Sequence, residues 1–281
     1  MKVLVAVDGS KYGRWTVEWV RRLPLVSPPQ VAALHVVDTA SLRAPFVVQP
    51  VIVGNERFIQ AEIQRLEAQS VKVLAETETQ LKALKLDGEV ASEEGAAATT
   101  LLKRAPKRNG LVVLGSRGLG ALDRFLLGSV STQVVLHAPT SVLVVKEAPR
   151  TIKRVLLAID GSDSAEKAIK FVLKELTPNS KGNPEILVTH AMQFLKYPEL
   201  KEAGQAMIEK AARRLEKVGF VVEPIQRLGQ PADEILKVAE SHKADLIIVG
   251  AKGLGAIARF FLGSVSQKIV QHSHCSVLVV R

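Results

Sequence analysis

The sequence has a single cysteine and no long apolar run, and each shortage excludes a class of protein. Cys275 has no second cysteine to pair with, so an internal disulfide framework is excluded and a reducing compartment is favoured. No apolar run approaches the roughly 18 residues that cross a bilayer. The apolar stretch near the N-terminus ends at Asp8 and is too short for a secretory signal. We therefore expect a cytoplasmic protein with no membrane insertion.

Aromatic residues are also scarce, at 4% of the chain, and this bears on how its charge is interpreted. A net charge of +10 would suit a protein that binds nucleic acid. However, the basic residues are scattered among acidic ones, and the densest basic run, residues 103–108, contains no aromatic side chain. A surface on which bases could stack is therefore not favoured. We expect a solvated basic surface and no nucleic-acid partner.

The chain repeats itself. The segment VLVAVDGS at 3–10 returns as VLLAIDGS at 155–162, and GSRGLGALDRFLLGSVS at 115–131 returns as GAKGLGAIARFFLGSVS at 250–266. Each copy then closes with SVLVV. Matched segments in the same order indicate an internal duplication. We predict two domains, 1–147 and 152–281, which are joined by a short polar linker. The first copy carries extra residues, most plausibly within 41–60, where Pro45, Pro50 and Gly54 predict a long loop.

Short apolar runs alternate with helical patterns in each copy. In the first copy the predicted strands are Val3–Val7, Val31–Val37, Val90–Ser92, Gly110–Leu114 and Ser141–Val145. The predicted helices are 10–23, Glu56–Leu84, Thr99–Lys107 and Ser129–His137. Strands that are apolar throughout and separated by helices imply a parallel sheet covered on both faces. Right-handed crossovers then give a doubly wound, Rossmann-like α/β sheet.

Ligands of such sheets bind beyond the carboxyl ends of the strands, and two repeated segments should meet there. The first is the Asp-Gly-Ser turn after the first strand, with Asp8 in one copy and Asp160 in the other. The second is the pattern G-x2-G-x9-G-S after the fourth strand, just before a helix. Glycines let main-chain amides approach an anion, and a helix start favours phosphate. Alternatively, the glycines only permit tight turns and the aspartates only brace a bend. The duplication of both segments favours anion binding.

Other chemistries find no support in the sequence. Neither a P-loop nor a G-x-G-x-x-G fingerprint is present, and the histidines do not show metal-ligand spacing. No Ser-His-Asp set or carboxylate pair is repeated in both copies. We therefore assign no catalytic residue. A role for Asp8 and Asp160 in binding a nucleotide-bound metal stays open, and Arg117 and Lys252 either meet phosphates or are solvated loop charges.

These residues resemble the universal stress protein family in its tandem form. The resemblance is carried by the Asp-bearing first turn, the second strand Leu34–Asp38 and, above all, G-x2-G-x9-G-[ST], the ATP signature of the family's nucleotide-binding branch. It implies two Rossmann-like, adenine nucleotide alpha hydrolase-like domains. Each would hold a five-stranded parallel sheet in the order 3-2-1-4-5 with helices on both faces. ATP, usually with Mg²⁺, would bind at the strand ends.

The resemblance also implies roles for individual residues. Val7 and Val36 would flank adenine, and Asp8 would reach the ribose. The loop and helix start would bind the phosphates, with the residues Gly115, Gly118, Gly128, Ser129, Val130 and Ser131. The matching residues of the second copy are Ile159, Asp160, Ala191, Gly250, Gly253, Gly263, Ser264, Val265 and Ser266. The fifth strands would pair antiparallel within the chain as an internal pseudo-dimer, and a homodimer stays open.

The sequence thus predicts an ATP-binding stress-response protein with slow or no hydrolysis, whose regulatory target it does not identify. One alternative is an ATP pyrophosphatase-like enzyme, although such enzymes have a denser S-G-G-x-D-S loop after the first strand. Another is a protein that binds a non-nucleotide ligand or a partner on the same fold. The connection after His190 is shorter than in the first copy, and Ala191-Met192 replaces Val36-Val37. We therefore expect the two sites to differ in affinity.

Overall fold

A computed structural model describes residues 1–38, 56–107, 109–118, 127–178, 184–193, 198–253 and 262–281. Most of the predicted loop, residues 41–55, lies outside these ranges. The first half contains β1 (Lys2–Val7), α1 (Lys11–Arg22), β2 (Gln30–Val37), α2 (Glu56–Ala83), β3 (Gly88–Glu94), α3 (Ala97–Arg104), β4 (Gly110–Gly115), α4 (Ser129–His137) and β5 (Ser141–Val145). The second half contains β6 (Arg154–Ala158), α5 (Asp163–Glu175), β7 (Glu185–Met192), α6 (Pro198–Glu216), β8 (Val222–Leu228), α7 (Pro231–Ser241), β9 (Leu246–Gly250), α8 (Ser264–His272) and β10 (Ser276–Val280).

All the described strands form one sheet, in the order β3-β2-β1-β4-β5-β10-β9-β6-β7-β8. Within each half the strands are parallel, and their order is the predicted 3-2-1-4-5. The α/β class and the doubly wound topology are therefore confirmed. The halves meet where β5 and β10 pair antiparallel, with Leu143 opposite Leu278. This is the pairing of fifth strands that the resemblance implied.

The two faces of the sheet bury separate apolar clusters. Successive strand residues point to opposite faces, so Leu143 and Leu278 join one cluster while Val142 and Val277 join the other. All residues of β5 and β10 are buried, which accounts for their continuous apolar sequence. Each cluster contains residues of both halves, so the halves share a continuous core. No helix in the described ranges is both long and apolar enough to cross a membrane.

The linker between the halves is held by several contacts, although its sequence is polar. The Trp19 indole donates a hydrogen bond of 2.9 Å to the Glu147 carbonyl oxygen, and Ile152 is buried. The buried carboxylate of Asp245 accepts hydrogen bonds from the backbone amides of Lys153 (2.7 Å) and Arg154 (3.0 Å). These bonds fix the point where β6 begins.

Each half also caps a helix of the other half. The Lys146 ammonium, which follows β5, donates to the carbonyl oxygens of Gln271 (3.1 Å) and Ser273 (2.7 Å) at the end of α8. In the equivalent position after β10, the Arg281 guanidinium donates to the Leu136 carbonyl oxygen (3.0 Å) and to that of Val135 at the end of α4. The last carbonyls of a helix lack intrahelical partners and attract positive charge. These bonds therefore stabilise the helix ends and join the halves.

Candidate functional site

A cleft of about 480 Å³ opens at the carboxyl ends of β1, β2 and β4 and at the start of α4. This is the topological switch point of the first half, because the chain adds β2 and β3 on one side of β1 and then β4 and β5 on the other. Every site residue predicted for the first half lines the cleft: Val7, Asp8, Val36, Gly115, Gly118, Gly128, Ser129, Val130 and Ser131. The prediction missed further lining residues, among them Gly13, Leu34, Ala97 and Leu101.

The turn after β1 orients the Asp8 carboxylate. Its Oδ1 atom accepts hydrogen bonds from the Ser10 amide (3.0 Å) and the Ser10 hydroxyl (2.6 Å). The Ser10 hydroxyl in turn accepts from the Gly13 amide and caps α1. The other oxygen, Oδ2, faces the glycine loop, since a Cβ atom placed on Gly118 would lie 2.8 Å from it. The Asp8 Oδ1 atom thus has a structural role in the turn, and the Oδ2 atom faces the cleft.

The three loop glycines differ in what a side chain at each position would meet. A Cβ atom on Gly115 would lie 2.7 Å from the Tyr12 Cβ atom, so packing alone requires glycine there. At Gly118 the obstacle is the Asp8 carboxylate. At Gly128 the nearest atom would be 3.5 Å away, an ordinary contact, and the backbone has φ −61°. Among the described residues, neither close packing nor a positive φ requires glycine at Gly128, although Gly128 is the N-cap of α4, a position that favours glycine over alanine. Its missing side chain leaves space in the cleft.

Helix α4 begins at this loop without a side-chain cap from any described residue. The Gly128 amide donates to the Ser116 carbonyl oxygen (2.8 Å), but the amides of the first helical turn have no intrahelical partner. Ser129 is exposed at the mouth of the cleft. The Ser131 hydroxyl donates to the Gly115 carbonyl oxygen (2.7 Å) and closes the loop. The helix start therefore offers main-chain donors and one exposed hydroxyl to an anion.

The second half repeats this geometry with small changes. A Cβ atom on Gly253 would lie 2.7 Å from the Asp160 Oδ2 atom, and the Ser266 hydroxyl donates to the Gly250 carbonyl oxygen (2.7 Å). The Ser162 hydroxyl differs, because it donates to the Lys252 carbonyl oxygen rather than to the aspartate. The predicted residues lie at the ends of β6, β7 and β9 and at the start of α8: Ile159, Asp160, Ala191, Gly250, Gly253, Gly263, Ser264, Val265 and Ser266.

Arg117 forms one wall of the first cleft. Its guanidinium donates a hydrogen bond of 2.9 Å to the Tyr12 hydroxyl and lies 5.7 Å from the centre of that ring. The equivalent of Tyr12 in the second repeat is Ser164, so this aromatic contact belongs to the first half alone. His35 and His190 each form a hydrogen bond between Nδ1 and a backbone carbonyl oxygen, that of Val7 (2.8 Å) or Ile159 (3.0 Å).

The fold and the repeated strand-end geometry define a duplicated Rossmann-like α/β protein. The model of the universal stress protein family matches residues 1–146 and 151–281, so the chain belongs to that family. It is 30% identical to a universal stress protein of Mycolicibacterium smegmatis, over 99% of this chain and 96% of that one. It is 38% identical to one of Thermus aquaticus, over 46% of this chain and 98% of that one. A universal stress protein from Archaeoglobus fulgidus has the same fold, with a TM-score of 0.70 and 22% identity, over 100% of this chain and 98% of that one.

Proposed function

We propose that each half of the chain binds ATP together with Mg²⁺, and that the protein is a cytoplasmic stress-response regulator with slow or no hydrolysis. The observation that carries the proposal is Gly128. No described atom and no positive φ keeps a side chain out of this position, which lines the same cleft as Asp8 and begins a helix that has no side-chain cap. A ligand that must approach this backbone closely supplies the reason.

The cleft combines the kinds of group that a nucleotide needs. Part of its lining is apolar, with Val7, Val36 and Leu101 available to an adenine ring. The first turn of α4 and the Ser129 hydroxyl supply donors for phosphate. The volume of about 480 Å³ falls within the range of about 300–1,000 Å³ that is usual for small-ligand sites. Asp8 lines the same cleft, and its Oδ2 atom would accept a hydrogen bond from a ribose hydroxyl.

The residues also fit Mg²⁺ held chiefly by the nucleotide. The described residues contain no group of three or more His, Cys, Asp or Glu side chains that could hold a metal. Mg²⁺ is commonly bound by one or two carboxylates together with substrate phosphates, and the Asp8 Oδ2 atom can serve as that carboxylate oxygen. The ion would neutralise phosphate charge when bound. Asp160 occupies the same position in the second half.

Slow or absent hydrolysis is supported by the composition of the cleft. Asp8 is the one acidic residue among the described lining residues, and no histidine or cysteine lines the cleft there. Its Oδ1 atom already accepts two hydrogen bonds from Ser10, so the carboxylate is held as a binding group. A general base for an attacking water would have to lie within hydrogen-bond reach of that water.

The test is isothermal titration of the nucleotide-stripped protein with ATP and Mg²⁺. We expect one ATP in each half, with unequal affinities. Gly128→Val should abolish binding in the first half alone, because its γ-methyl groups enter the cleft, and Gly263→Val should do the same in the second. Each variant is the control for the other. Unchanged stoichiometry in both variants, or no heat of binding at millimolar ATP, would contradict the proposal.

A further inference from the structure

A second cavity, of about 370 Å³, lies between the halves and beside the first cleft. Its walls come from the start of α1, the loop after β4, the residue after β5 and the end of α8. Three cations, Lys11, Arg117 and Lys146, line these walls together with the histidines His272 and His274. Among the described lining residues there is no aspartate or glutamate. A concave surface lined by charges of one sign attracts the opposite ion.

We propose that this interdomain cavity binds a multivalent phosphate anion, with Lys11 and Lys146 as its principal charges. This site is separate from the nucleotide cleft, and the inference does not rest on the function proposed for that cleft. The other lining residues suit an anion, since the hydroxyl groups of Tyr12 and Ser116 are hydrogen-bond donors. Phosphate oxygens accept several such bonds at once.

Lys146 is the clearest sign that the cavity lacks a negative charge. Its ammonium donates to two helix-end carbonyl oxygens, but it forms no ion pair within the described part of the chain. Burial lowers its pKa to about 8, and the charge of Arg117 adds to this effect. A partly desolvated cation whose hydrogen bonds go to carbonyl dipoles is costly, and an anion in the same cavity would offset that cost.

The duplicated half provides an internal comparison. In the pseudo-symmetric position, at the start of α5 and the end of α4, Asp163 replaces Lys11 and Pro139 replaces His274. Helix α5 therefore begins with an acidic residue where α1 begins with a basic one. The remaining basic positions are kept there as Lys252, Arg281 and His137. The cavity thus differs from its counterpart chiefly by the charge of Lys11.

Arg117 lines both the cavity and the first cleft, and two sources could supply the phosphate. One is a free polyphosphate in solution. The other is the phosphate chain of a nucleotide held in the adjoining cleft. The chemistry recognised is the same in both cases, so the experiment must separate the sources.

The test is titration of the full chain with inorganic tripolyphosphate at low ionic strength, with Lys11→Asp as the variant. Lys11 is exposed and lies outside the first cleft, and an acidic residue suits the first turn of a helix. We expect the affinity to fall about tenfold, because two units of charge are lost beside the anion. Lys167→Asp, on an exposed position of α5, makes the same charge change elsewhere and should leave the affinity nearly unchanged.

A second readout locates the anion. In histidine-labelled protein, the ring signals of His272 and His274 should move on adding tripolyphosphate, while that of His137, at the end of α4, should not. Equal weakening by both lysine variants, stationary His272 and His274 signals, or no binding at all would overturn the proposal.

Competition between nucleotides and tripolyphosphate identifies the source of the phosphate. If the ligand is free polyphosphate, saturating ATP leaves tripolyphosphate binding intact. If the nucleotide's own phosphates reach the cavity, ATP displaces tripolyphosphate whereas AMP does not, and Lys11→Asp weakens ATP more than AMP. A chain that binds tripolyphosphate but no nucleotide would retain this inference and contradict only the function proposed for the cleft.

Discussion

Adding a single methyl group at each of two loop glycines separates the effect on packing from the effect on ligand binding. In Gly115→Ala the new Cβ atom would lie 2.7 Å from the Tyr12 Cβ atom and 3.0 Å from the Arg117 carbonyl oxygen. Both are close to the main chain and cannot swing away. Overpacking of this kind costs about 1–3 kcal/mol of unfolding free energy. In Gly128→Ala the nearest described atom is 3.5 Å away and alanine adopts the observed φ, so the loss should come only from the weaker N-cap, about 0.5–1 kcal/mol.

The assay measures both properties on both variants. We expect Gly115→Ala to lower the thermal midpoint by several degrees, since about 1 kcal/mol shifts a chain of this size by roughly 2–4 °C. Gly128→Ala should lose less stability than Gly115→Ala, but it should bind ATP more weakly in the first half. The reasoning is refuted if Gly128→Ala binds ATP normally, or if Gly115→Ala is as stable as the wild type.

Two further predictions concern contacts between the halves. The pKa of Lys146 is lowered from 10.5 to about 8 by burial and by Arg117, so the unfolded chain holds this proton more tightly. Its contribution to stability should therefore rise as the pH increases from about 8 to 10.5. Urea unfolding over this range should show a flatter pH dependence in Lys146→Met, and an identical slope would count against the assignment. Asp245→Ala should cost about 1–3 kcal/mol, because the backbone amides of Lys153 and Arg154 lose their charged acceptor. Urea unfolding measures this loss, and an unchanged midpoint would contradict it.

The sequence predicted the class and the strand order because the central strands are apolar on both faces. It was weakest at the sheet edge, where β3 is Gly88–Glu94 rather than Val90–Ser92. An exposed edge strand carries polar residues and shows little apolar pattern. Helix α3 also differs from the prediction, since it ends at Arg104 rather than Lys107. Pro106 disfavours a helical conformation in the residue before it.

The location of the cleft could be predicted from the sequence more readily than the contacts between its residues. Repeated motifs brought its first-half residues together, and their role as ligands stays a prediction. Gly13 had no such signal, although a Cβ atom there would lie 2.5 Å from the Asp8 Oδ1 atom. That constraint arises only once α1 packs against the turn. The bond from Lys146 to Ser273 likewise joins residues 127 positions apart, and no local pattern indicates it.

The duplication has consequences beyond supplying two clefts. Helix α4 begins at the glycine loop of the first half and ends on the Arg281 guanidinium of the second. Helix α8 begins at the other glycine loop and ends on the Lys146 ammonium of the first half. A ligand that shifts either helix start must therefore strain or move a charged contact that belongs to the opposite half. Because both contacts flank the buried β5–β10 pair, they can shift only against close-packed strands. Each glycine loop is thus joined, through one helix, to a charged contact of the opposite half.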